Sequence, residues 1–298
     1  MKRLLFLFYL IILSSCTSAS LSPNNLANEG TIAHLNKEGN RIIIYRLTSF
    51  NGTTSSSEIF KIDGNKLIFE RKISLPDGTI SVIFDSDDKN YLITKKAGSD
   101  FFLEKFSNKG DETIIYRSPE RLTAIETVKE KTYLLRSMEV NREFSSKILL
   151  ISEEKPKYLT NNLTRSVRIV GNSVLDTTNN SILYGDKVKN TPPPLPKDYV
   201  SNECSGDIDV TCFQTKEILD QRGYNSKQLR FATIKSTLGD CEVAEPISFL
   251  QQVIVSRNGR VIIYGALTNP SNGDKSLFIN HYAGGSCNFT KLSVMGFN

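Results

Sequence analysis

Five cysteines and two histidines are the residues here best suited to covalent or metal chemistry. Cys16 stands alone near the start, while Cys204, Cys212, Cys241 and Cys287 all fall in the last third. Four cysteines form an even set, which suits two disulfides in an oxidising compartment. Three pairings are open. Zinc is disfavoured, because there is no Cys-x-x-Cys pair and the only histidines are His34 and His281. Carboxylates cluster at Asp85, Asp87 and Asp88, without the ligand spacing and glycine of a calcium loop. A solvated turn is the expected role there. The loop Ser205-Gly206-Asp207-Ile208-Asp209, between Cys204 and Cys212, is the candidate binding loop, with Asp207 and Asp209 as its side chains. A Gly-x-Ser-x-Gly serine elbow and the phosphate-binding loop patterns are absent. No catalytic residue, metal or cofactor is expected.

Cys16 follows a particular context. Lys2 and Arg3 precede an apolar run from Leu4 to Leu13, and Ser14 and Ser15 lead into the cysteine. A basic start, a short apolar run and small residues make a secretory signal. The run is too short for a permanent membrane span, which needs about 20 residues. The ending Leu13-Ser14-Ser15-Cys16 resembles the lipobox of bacterial lipoproteins. That resemblance implies that residues 1–15 are removed and that Cys16 becomes the lipidated first residue. Thr17, where an aspartate would signal retention, leans by the same resemblance toward the outer membrane. An ordinary signal cut after Ala19 is the alternative. Residues 16–30 are rich in Ser, Asn and Ala and read as a polar tether.

Removing Lys2 and Arg3 takes the formal charge from +5 to +3. The basic residues are spread along the chain, so a nucleic-acid footprint is not expected. The expected partners are the membrane, through the lipid, and an unidentified protein.

The elements that must position these residues are strands. From residue 31 onward, β-branched and aromatic runs alternate with polar turns. The one expected helix covers Phe213 to Arg222. Apolar strand centres recur at Phe60, Phe102, Leu149, Leu183, Phe231 and Phe278, spaced 42, 47, 34, 48 and 47 residues, about 44 on average. Four strands per repeat of this length is the signature of β-propeller blades. Six blades are expected, at approximately 31–76, 77–118, 119–160, 161–191, 192–246 and 247–298. The long fifth repeat leaves room for a seventh. Thr191-Pro192-Pro193-Pro194-Leu195-Pro196 is expected as an extended connector.

Leu238-Gly239-Asp240-Cys241 parallels Gly284-Gly285-Ser286-Cys287 in the last two repeats. Matching outer positions on neighbouring blades should lie too far apart for one disulfide, whose Cα atoms must approach within about 7 Å. Cys241 is therefore expected to reach Cys204 or Cys212 more easily than Cys287; a direct Cys204–Cys212 pair is the other option. The turn Ser256-Arg257-Asn258-Gly259-Arg260 resembles the Ser-Pro-Asp-Gly-Lys turn of TolB-type propeller repeats, which implies a propeller but no activity. The sialidase Asp boxes and the tryptophan motif of the outer-membrane assembly propellers are absent. Two functions follow as expectations: a non-catalytic protein-binding scaffold, or a lactonase-like propeller hydrolase with a metal in its channel.

Overall fold

The computed structural model describes residues 31–295, less 37, 48–52, 88, 108, 129–130, 141–142, 153–155, 160–166, 171–172, 177–181, 186–200, 206–210, 221–226, 237–239, 244–246, 256–259, 268–275 and 284–285. The lipobox, the tether, the proline connector and the loop carrying Asp207 and Asp209 lie outside the described residues.

Every described element is a strand. The first sheet takes β1 (Thr31–Leu35), β2 (Arg41–Arg46), β3 (Thr54–Asp63), β4 (Lys66–Phe84), β5 (Tyr91–Ala97), β6 (Asp100–Phe106) and β7 (Glu112–Ser118) in chain order. The second holds β8 (Arg121–Val128), β9 (Lys131–Val140), β10 (Glu143–Ile151) and β11 (Lys157–Tyr158). The third holds β12 (Val167–Val170), β13 (Ser173–Asp176) and β14 (Ile182–Tyr184). The fourth runs through β15 (Ser201–Ser205), β16 (Thr211–Asp220), β17 (Lys227–Lys235), β19 (Ile247–Val255), β20 (Val261–Leu267), β21 (Ser276–Ala283) and β22 (Ser286–Lys291). The short β18 (Cys241–Glu242) lies beside β17.

One unit repeats through these sheets: antiparallel strands that pair with their chain neighbours. The two long sheets each join two units. In the first, the early part of β4 pairs with β3 and its late part with β5. In the fourth, one residue pair, Arg230 with Ile247, connects the halves.

Alternating side chains glue these units together, since successive strand residues point to opposite faces. On β2, Ile42 and Ile44 face one apolar cluster, while Ile43 and Tyr45 face another. The first cluster holds Ile262 and Tyr264 of β20; the second holds Val82 and Phe84 of β4 and Tyr91 and Ile93 of β5. On β20, Val261 and Ile263 turn instead toward Phe213 and Ile234. This is why the runs Ile42-Ile43-Ile44-Tyr45 and Val261-Ile262-Ile263-Tyr264 are apolar without a break: both of their faces are covered. Burial pushes the Tyr45 hydroxyl up to about 12, although a backbone hydrogen bond at Val82 works against that rise.

Two expectations are corrected. Phe213 to Arg222 was expected to be helical, but residues 211–220 form β16, which pairs along its length with β17 and at its start with β15. Thr211, Cys212, Phe213, Gln214 and Thr215 are all buried, so both faces are covered and no helical stripe is needed. Cys241 and Cys287, expected to lie too far apart, are bonded, with Cα atoms 5.5 Å apart. The start of β22 lies beside the end of β18, where Val243 and Cys287 form a parallel bridge. Neighbouring outer strands therefore touch at this point.

Chain closure is explicit. β23 (Ser293–Met295) leaves the last unit and pairs in parallel with Lys66–Ile68 of β4, in the first. The Gln252 side-chain amide donates to Ala33 O and accepts from Ala33 N, as a strand neighbour would. A register shift between Leu250 and Gln252 marks a bulge there.

The passage from the first unit to the second turns at Pro76-Asp77-Gly78-Thr79, where the Thr79 hydroxyl donates to Pro76 O at 2.7 Å. Gly78 has φ +80, and a Cβ there would sit 2.2 Å from Lys96 O. Gly64 has φ +57 and open space around it. Gly64→Ala should cost about 1–2 kcal/mol, the left-handed backbone term alone. Gly78→Ala should cost clearly more in the same denaturant titration, because the backbone of β5 must also move. Equal losses would contradict this account of the turn.

Candidate functional site

The turn after the first strand recurs as one design in the first two units. In the first unit, Asn36 Oδ1 accepts from the amides of Asn40 and Arg41, and Asn36 Nδ2 donates to Asn40 Oδ1. Gly39, at φ 63, completes the turn. In the second unit, Asp87 Oδ1 accepts from the amides of Lys89 and Asn90, and its Oδ2 accepts from Asn90 Nδ2. Asp and Asn recur here because their side chains bond the backbone a few residues ahead. Partial burial opposes the Asp87 charge, but those amides outweigh it and hold the carboxyl below its ordinary 3.8. Asp85 accepts from the Ser86 amide and pairs with Lys105 at 2.6 Å. These carboxylate oxygens are engaged by the turn's own donors, and Asp88 lies outside the described residues. Among the described residues, no three His, Cys, Asp or Glu side chains gather as metal ligands would.

Asp207 and Asp209 fall in the segment between β15 and β16, outside the described residues. Their loop springs from the cross-strand pair Ser205 and Thr211. The Thr211 hydroxyl donates to Ser236 Oγ at 3.1 Å, and Lys235 pairs with Asp240 at 2.7 Å nearby. The loop's base is thus tied to the end of β17. Cys212 is disulfide-bonded, and Cys204 stands directly opposite it across the β15–β16 ladder. His34 lies on β1, as expected, and His281 on β21. They sit on strands of the first and last units, so they are not assembled into one centre by any strand pairing.

One ionic cluster was not anticipated. Lys95 Nζ lies 2.8 Å from Glu104 and 2.7 Å from Glu112. Glu104 is 2% exposed and Glu112 37%, so the buried carboxylate depends on the lysine for compensation. Burial raises the Glu104 pKa above 4.5, and Lys95 offsets only part of that rise. Burial opposes the Lys95 charge, yet its two carboxylate partners outweigh it and hold its pKa above 10.5. The three residues come from adjacent strands of one sheet, β5, β6 and β7. The cluster is therefore a structural tie. The signal for it, opposite charges on consecutive strands, becomes readable only once the register is known.

No family model matches the chain, and no curated protein matches it significantly. Solved structures do. The β-propeller domain of the trilobed protease from Pyrococcus furiosus, described as having an open velcro topology, aligns at 13% identity and TM-score 0.47, over 89% of this chain and 82% of that one. The acylaminoacyl peptidase of Pyrococcus horikoshii aligns at 10% identity and TM-score 0.51, over 89% of this chain. This chain spans 45% of that peptidase. TolB from Acinetobacter baumannii aligns at 14% identity and TM-score 0.37, over 86% of this chain and 54% of that one.

Lys95→Met should cost about 3–5 kcal/mol at pH 7, because it strands a buried carboxylate. Raised folded-state pKa values make Glu104 more stabilising when protonated. Its contribution is complete below 4.5, its unfolded value, and fades as pH rises through the folded one. The variant's deficit should therefore shrink at pH 5, as measured by urea unfolding at both pH values; an unchanged deficit would contradict the compensation. At the level of fold, the repeating strand units and the structural comparisons agree: the protein is all-β and a β-propeller.

Proposed function

We propose that this is an exported lipoprotein whose residues 31–298 form one propeller domain of six blades, acting as a non-catalytic scaffold for a protein partner. The lipobox-like Leu13-Ser14-Ser15-Cys16 supports the anchor, and Thr17 supports an outer-membrane address. Among the described residues, six strand units, beginning at β1, the late part of β4, β8, β12, β15 and β19, support that blade count.

The observation that carries the scaffold reading concerns the first strand of each unit, the one that lines a propeller's channel. Across Thr31–Leu35, Thr79–Phe84, Arg121–Val128, Val167–Val170, Ser201–Ser205 and Ile247–Val255, the only carboxylates are Glu126 and Glu203. A channel metal of the lactonase kind takes several oxygen ligands, and hard cations such as calcium need six to eight. Two carboxylates on separate strands are a poor beginning for one.

Protein purified from membranes should give the mass of a chain beginning at acylated Cys16. Its melting temperature should not move with calcium or with a chelator. An unmodified start after Ala19 would defeat the anchor. A rise of several degrees with calcium would favour the metal-dependent hydrolase, because a ligand that binds only the folded state raises the melting temperature.

A further inference from the structure

The polarity of the strands settles which end of the propeller adjoins the segment that precedes it. β1 begins at Thr31 and runs toward the turn at Asn36–Asn40, so the two features lie at opposite ends of the first unit. Call them the near end and the far end.

Contacts between units show the same direction in the second, fifth and last units, and a common direction in the third and fourth. Arg260, at the approach to β20, donates to Gly39 O at 2.8 Å, which brings the start of β20 to the first-hairpin turn of the first unit. Arg41, at the start of β2, lies over the ring of Phe84, at the end of β4, 5.4 Å from its centroid. That places the corresponding turn of the second unit beside the first. Lys157, opening β11, lies 5.1 Å from the ring centroid of Tyr184, closing β14. The parallel bridge between Val243 and Cys287 aligns the outer strands of the last two units. Each of these contacts joins equivalent ends.

We infer that the near end is the face held against the lipid surface, and that the first-hairpin turns of the first two units point away from it. The inference rests on the proposed anchor at Cys16 and adds the orientation. Reach supports it. Residues 16–30 can extend at most about 50 Å. Turning the ring over would require the chain to pass from β1 beyond the outer strands, about 14 Å at the usual strand spacing, and then along a strand of about 23 Å. That leaves about 13 Å of slack even at full extension. Charge supports it too. Among the described residues of the first two units and the start of the third, exposed Arg46, Lys96, Arg117 and Arg121 lie at the near end, against Asp77, Asp100 and Glu120. Arg117 pairs with Asp100. A modest basic excess is attracted by anionic headgroups.

The test places a donor dye on the lipidated protein, through p-azidophenylalanine at Ser99 or at Lys109, so that no cysteine is touched. Ser99 lies in the near-end connection between β5 and β6, and Lys109 in the far-end connection between β6 and β7; both are exposed. The protein is bound to phosphatidylethanolamine–phosphatidylglycerol vesicles carrying a headgroup acceptor. Energy transfer should be several-fold greater from position 99. Protein that floats with the vesicles but transfers equally, or more from position 109, would overturn the orientation while leaving the anchor intact. Protein that does not float would overturn the anchor, and the orientation with it.

Discussion

The molecule depends on strands that bury both of their faces. A single antiparallel unit can cover one face by pairing and bending, but its other face needs a neighbour. Here β2, β5 and β20 each divide their side chains between two neighbours. Ile42 and Ile44 go one way and Ile43 and Tyr45 the other; Ile262 and Tyr264 go one way and Val261 and Ile263 the other. Leu92 repeats this on β5, leaving Tyr91 and Ile93 behind to pack with Leu103, Leu122 and Leu149. Each unit is thus the cover for the next. The logic is that of a stack, and a stack has two raw ends unless it closes.

Closure falls to the first and last units. Their shared core draws Ala33, Leu35, Phe60 and Leu67 from one side and Ile262, Tyr264, Leu277 and Ile279 from the other. Leu292, buried within that core, leads directly into β23, which runs along β4. Burying a leucine contributes about 1.5–3 kcal/mol. β23 adds ladder hydrogen bonds, and it covers a strand edge that would otherwise be open to other chains. The Cys241–Cys287 disulfide joins the next pair of outer strands.

Much of this was legible in the sequence, for a physical reason. Uninterrupted apolar runs between Asn-, Asp- and Gly-rich turns record two covered faces and a tight hairpin, and their spacing gives the blade. The misses have the opposite cause. Phe213 to Arg222 contains polar residues at intervals that suit a helix, but Gln214 and Thr215 are buried in a sheet by tertiary context. The Cys241–Cys287 pair depends on how closely two outer strands approach, which no local pattern reports. The Lys95 cluster likewise needs the register of β5, β6 and β7. Of the candidate site residues, the turn carboxylates at Asp85 and Asp87 behave as their local chemistry suggested. Asp207 and Asp209 lie outside the described residues.

The central claim is that the last segment closes the stack, so that first and last units are stabilised as one. Amide hydrogen exchange on the chain shortened to end at Lys291 tests it most directly. Protection should fall together, by at least about tenfold, at Ile32–Leu35 of β1, Leu67–Phe69 of β4 and Ile262–Tyr264 of β20. A loss confined to Leu67–Phe69, with β1 and β20 unchanged, would contradict it.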